Sequence, residues 1–142
     1  MRPGLVVIAA MLALSACAST PFTPAEIATL PDRQLCAAHG DAVNGADGGG
    51  LIFGPRARRI ERETRAEIAR RHLIPAARWR MIAADRVAIG MGPCAVLAAW
   101  GTPKVVRTRD RAAGGHIERW FWHPDQSAVF RSGVVAGVTG AP

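Results

Sequence analysis

The chain has 142 residues, 49% hydrophobic and 20% charged, with 18 Lys+Arg against 11 Asp+Glu for a formal net charge of +7. That length holds one compact domain and excludes a multidomain enzyme, and the proportions exclude wholesale disorder despite 15 Gly and 10 Pro. The basic surplus favours acidic partners, whose nature depends on the compartment.

At the start of the chain, Arg2 precedes an unbroken apolar run over residues 5–14 (LVVIAAMLAL), and Leu14-Ser15-Ala16-Cys17 follows. Such a run covers about half of a ~30 Å hydrocarbon core, so it reads as an export signal, with a buried N-terminal core helix as the alternative, and not as a span. Leu-Ser-Ala-Cys resembles the lipobox of bacterial lipoproteins. The resemblance implies a signal peptide over 1–16 and lipidation of Cys17, and the small residues and prolines of residues 18–24 (ASTPFTP) suggest an extended tether, so that 17–29 form the lipidated N-terminus and tether. Ala18 follows the lipidated residue in place of the Asp associated with inner-membrane retention, which implies an outer-membrane protein facing the periplasm. Two or three acyl chains, at ~0.8 kcal/mol per buried CH₂, would be the only anchor needed.

Residues 31–40 read as a short helix with Pro31 at its start and Gly40 at its end, and residues 41–54, with their DGGG, as a flexible loop. A longer helix is expected over 55–73, with Ala57, Ile60, Thr64 and Ile68 on one narrow stripe. Its arginines are interleaved with acids, and Glu61–Arg65 and Glu67–Arg71 stand at i,i+4, the spacing of a solvated, self-paired face. A sharper reading takes Arg56, Arg58, Arg59 and Arg62 to anionic lipid headgroups. Export removes nucleic acid from the expected partners. Residues 75–85 allow another short helix with Trp79 and Ile82 on one side, and 93–100 a helix with Val96, Leu97 and Trp100 on its apolar face, stopped by Gly101. Beyond Pro103, residues 104–109, 116–123, 127–132 and 134–139 are rich in β-branched and aromatic residues and separated by turn residues. Helices followed by strands predict an α+β fold, N-terminal short helices packed on a C-terminal antiparallel β-meander of three to four strands, as a single domain over 30–142.

Ile89-Gly90-Met91, then Val96, then Trp100-Gly101-Thr102-Pro103 resembles the signature of the SmpA/OmlA domain of BamE-like outer-membrane lipoproteins. Residues 118–122 (ERWFW) and 130–135 (FRSGVV) are similar to that family's later strands, so the resemblance covers residues 89–139 best. It marks Gly90, Met91, Val96, Trp100, Gly101 and Pro103 as residues that make the fold. The resemblance implies a protein-binding scaffold that supports outer-membrane protein assembly, with an envelope protein, the β-barrel assembly machinery among them, as partner. Scaffolds of this fold type also occur among inhibitors, which keeps inhibition of a periplasmic hydrolase as an alternative.

Chemistry is sparse. Cys36 and Cys94 would both meet an oxidising periplasm, where a disulfide between them would stabilise by about 4 kcal/mol in the chain-entropy account; the alternative is two buried thiols. His39, His72, His116 and His123 are scattered without metal-ligand spacing, and no GxSxG occurs. The expectation is therefore no catalytic residues, no metal and no cofactor. Trp120 and Trp122 alternate and share one sheet face, opposite Ile117 and Phe121. If the Trp face is exposed, it forms a protein-binding patch with Arg107 and Arg131; burial of large aromatics favours the reverse. A structural lipoprotein gripping anionic lipid or cell wall is the other class of function that this sequence accommodates.

Overall fold

A computed structural model describes residues 22–48, 50–111 and 115–140, with the backbone alone for 46–48 and 50–53. The expected leader over 1–16, the lipobox-like segment and Cys17 lie outside the described residues. Helices α1 (Pro24–Thr29), α2 (Asp32–Gly48), α3 (Gly50–Arg70), α4 (Trp79–Ile82) and α5 (Pro93–Trp100) precede strands β1 (Val105–Asp110), β2 (His116–His123), β3 (Gln126–Arg131) and β4 (Val134–Thr139). The fold is α+β, with the helices N-terminal to a four-stranded antiparallel meander of order β1-β2-β3-β4. Among the described residues, no helix is long and apolar enough to cross a membrane.

The predicted tether ends earlier than residue 29. Thr23 caps α1 reciprocally, its Oγ1 accepting from the Glu26 N–H at 3.3 Å while its own N–H donates to the Glu26 carboxylate at 2.6 Å, and Pro24 presets the first turn. Ile27 is buried and α1 packs on α3, so residues 23–29 belong to the folded unit and not to a tether.

Residues 41–54 are not the predicted loop: α2 continues to Gly48 and α3 starts at Gly50, ahead of Pro55. Each interior glycine disfavours helix by about 1 kcal/mol, and tertiary packing overrides that preference. α2 lies against both α3 and α5, and a side chain at Gly40 would collide with the Leu97 carbonyl and the Gly101 backbone. One turn of chemistry secures this close approach: the Asp41 carboxylate accepts from the Thr102 N–H at 2.7 Å and from Thr102 Oγ1 at 2.6 Å.

α3 ends at Arg70 and not at 73, because His72 adopts φ 55° and the Leu73 N–H turns back to the Ile68 carbonyl at 3.1 Å. The predicted helix at 75–85 is a 3₁₀ turn, Ala76–Arg78, leading into the short α4. α5 has no charged or hydroxyl side chain and is buried from Ala95 to Trp100 on all sides. Cys36 of α2 and Cys94 of α5 are joined by a disulfide, Cα atoms 5.2 Å apart across 58 residues of sequence.

β3 and β4 are joined by Ser132-Gly133 with φ 51° and 79°, consecutive left-handed residues of the kind a two-residue hairpin turn needs. Cross-strand register puts Val106, Trp120, Ala128 and Val138 in one row and Arg107, Arg119, Val129 and Gly137 in the next. Successive rows face opposite sides of the sheet. Trp120, Trp122, Ala128, Phe130 and Val135 turn inward and join Met91, Val96 and Trp100 in one core.

Candidate functional site

The residues of the family-like signature are structural. Gly90 has φ 84°, its N–H donates to the Val135 carbonyl, and the Val135 N–H donates to the Met91 carbonyl, both at 2.8 Å. Met91 and Val96 are buried, and Gly101 ends α5 at φ 72°. Pro103 follows at the entry to β1. Trp100 donates its indole N–H to the Asp85 carbonyl at 2.8 Å. A hollow of about 540 Å³ beside Asp85, Trp100, Trp122 and Asp125 therefore has both indole N–H groups already committed, since Trp122 donates to the Gly101 carbonyl at 2.9 Å.

Trp120 and Trp122 are 3% and 4% exposed and offer no docking face. Their rings pack on each other at 6.1 Å, with Trp100 5.0 Å from Trp122 and Phe130 4.4 Å from Trp120. The reason is area: two indoles on one face bury far more apolar surface than Ile117 and Phe121 would on the other. Arg107 and Arg131 consequently do not sit beside the tryptophans. They lie on the opposite face, with Phe121.

That outer face is the best-defined candidate site. Val105 faces Phe121; Arg107 faces Arg119, which faces Val129; Arg109 faces Ile117, which faces Arg131. Four exposed guanidinium side chains thus surround a half-buried floor of Ile117, Phe121 and Val129. The hollow between them has a volume of about 620 Å³. Arg107 and Arg119 stand over the Phe121 ring at 5.4 and 6.0 Å from its centroid. Among the described residues none of the four arginines has a carboxylate within 4.0 Å, and Arg107 directly opposes Arg119, a like-charge pair that costs stability in a sheet. An apolar extension of about 410 Å³, between Lys104, Val105, Phe121 and Pro124, continues the hollow. Arg109, Arg119 and Phe121 were not singled out for binding from the sequence. The alternation in KVVRTR and HIERWFWH placed them on one face of each strand, but only register set the two faces side by side.

The arginines of α3 are arranged differently. Arg56, Arg58 and Arg62 are exposed, whereas Arg59 is half-buried, 3.9 Å from Glu63, and donates to the Phe22 carbonyl at 3.4 Å. Glu67 accepts from Arg70 and Arg71, which hold its carboxyl down at about 2. Arg71 also donates to the Leu30 and Ala28 carbonyls at 2.7 and 2.9 Å and thereby ties α3 to the end of α1. The expected Glu61–Arg65 pair does not form; Arg65 lies over the Trp79 ring at 4.7 Å.

Two histidines are perturbed. His39 is buried under α3 with Nδ1 3.0 Å from Thr64 Oγ1 and its ring edge-on to Trp79; burial lowers its pKa to about 4, assisted by the charge of Arg65 and opposed by the Glu61 carbonyl. Thr64 Oγ1 donates to the Ile60 carbonyl at 2.7 Å, so it accepts from a neutral His39. His116, exposed at the far end of the sheet, is raised by its bond to Asp110 and by Glu118. Burial opposes ionisation of Glu118, but the Trp120 indole N–H, Arg33 and His116 outweigh it and lower that carboxyl. Among the described residues, no group of three or more His, Cys, Asp or Glu side chains is placed to share a metal ion. Compared with protein-family models, with curated proteins and with solved structures, the chain finds no match.

Proposed function

We propose that this protein is a non-catalytic envelope lipoprotein, anchored through Cys17 in the outer membrane, whose domain docks an acidic segment of a partner protein on the outer face of its sheet. The observation that carries this reading is the row in which Arg107 opposes Arg119, flanked by Arg109 and Arg131, around an apolar floor where, among the described residues, no carboxylate lies within 4.0 Å of the four. Like charges placed opposite one another are disfavoured in the free protein, and an acidic partner relieves that repulsion on binding. Aromatic and arginine groups side by side are also the composition of binding hot spots. The lipobox-like segment supports the anchor, and the signature-like residues 89–139 support a role near outer-membrane protein assembly, with the β-barrel assembly machinery as candidate partner.

Contact between α3 and anionic lipid has less support, because Glu61, Glu63 and Glu67 are interleaved with its arginines; of Arg56, Arg58, Arg59 and Arg62, Arg59 is paired with Glu63 at 3.9 Å and the other three are exposed. A labelled poly-glutamate peptide, titrated against the full chain in zwitterionic detergent, tests the docking face. Binding that Arg107→Glu with Arg119→Glu abolishes supports it; no binding, or binding indifferent to that pair, sinks it. The anchor is tested separately by Cys17→Ala, which should move the protein from the membrane to the soluble fraction.

A further inference from the structure

The two edges of the sheet are finished differently. β4 is covered at its middle, where Gly90 and Met91 exchange two backbone hydrogen bonds with Val135. β1 has no such neighbour among the described residues. All six of its residues are exposed, and the backbone bonds made just beyond its ends, from the Lys104 N–H to the Phe121 carbonyl and from the Arg111 N–H to the Gly115 carbonyl, run toward β2. A row of unpaired backbone donors and acceptors is a template for another strand.

Resting on the docking reading above, we infer that the acidic partner segment adds to the sheet as a further strand along β1. Strands lie about 4.8 Å apart and their side chains alternate between faces. Every second residue of an added strand therefore lands on the outer face beside Arg107 and Arg109, within reach of their guanidinium groups. The intervening residues fall beside Val106 and Thr108, where Val106 is 50% exposed and presents apolar surface. The geometry selects a segment in which carboxylates alternate with β-branched apolar residues.

A second copy of this chain is the wrong occupant, because edge-to-edge pairing of two β1 strands would bring Arg107 and Arg109 of each onto those of the other. Asp110, the acid of β1, does not repel the guest at the arginines: it sits at the strand's end, on the opposite face, and is bonded to His116 at 2.9 Å.

The test compares two labelled peptides of about ten residues and identical composition, one alternating Glu and Val and one with all Glu at one end. Both are titrated against the full chain in zwitterionic detergent. Strand addition predicts that the alternating peptide binds at least about tenfold tighter. It also predicts that N-methylation of alternate backbone nitrogens abolishes binding in one frame and spares it in the other, and that β1 amides gain protection from hydrogen exchange. Equal binding of both peptides, with N-methylation harmless in both frames, overturns strand addition while leaving the docking face intact, provided Arg107→Glu with Arg119→Glu still abolishes binding. Failure of both peptides to bind overturns the docking reading as well.

Discussion

The paired arginines of α3 and its C-terminal end, Arg59, Arg70 and Arg71, and the arginines on the outer face of the sheet use the residue in opposite ways. On α3, acids recur at three- and four-residue intervals, so Glu67 meets Arg70 and Arg71 within 2.6 Å and Glu63 faces Arg59 at 3.9 Å. On the sheet, a period of two collects Arg107, Arg109, Arg119 and Arg131 on one side, and the nearby carboxylates Asp110 and Glu118 fall on the other. Arginine that is satisfied within the fold stabilises it; arginine left facing its own kind is available to something else. Local density of basic residues is therefore a poor guide to a binding face, and the distribution of acids relative to the backbone period is a better one.

The largest expected effect breaks this contrast directly. Arg107→Glu with Arg119→Glu should weaken acidic-peptide binding by a hundred- to a thousandfold, about 3–4 kcal/mol, whereas Arg58→Glu with Arg62→Glu on α3 should change it less than about threefold. Isothermal titration at constant salt measures both, and equal losses would erase the distinction between the surfaces.

Next comes a titrating group on the helical side. His39 ionises near pH 4 in the folded protein and near 6.5 when unfolded, so the unfolded chain binds more protons between those values and stability falls as pH is lowered. The loss should approach about 3 kcal/mol by pH 4. Denaturant melts of wild type and His39→Gln should show this slope in the first and a shallower one in the second.

Arg71→Ala should lower the melting temperature, because its guanidinium joins Glu67, Asp32 and the Leu30 and Ala28 carbonyls, and it should leave peptide binding unchanged. A thermal melt with a parallel titration checks both halves. Smallest of all, His72→Gly should stabilise by up to about 1 kcal/mol, since φ 55° suits glycine better than a residue with a Cβ. A drop in melting temperature would show that the His72 side chain contributes something the backbone does not reveal.

The order of elements and the class of fold were legible in the sequence because the cues are local. Runs rich in β-branched and aromatic residues marked β2 and β4 at their observed bounds, Ser132-Gly133 marked the turn between β3 and β4, and Gly92-Pro93 with Gly101 framed α5. Three matters belonged to tertiary structure alone. Whether 41–54 is loop or helix turned on Gly40 meeting α5, a contact that propensity does not register. Whether Cys36 reaches Cys94 turned on α2 lying against α5. Which sheet face is buried, and hence which arginines stand together, turned on three indoles from α5 and β2 packing into one core, since alternation defines two faces of a strand but not the layer that covers one of them.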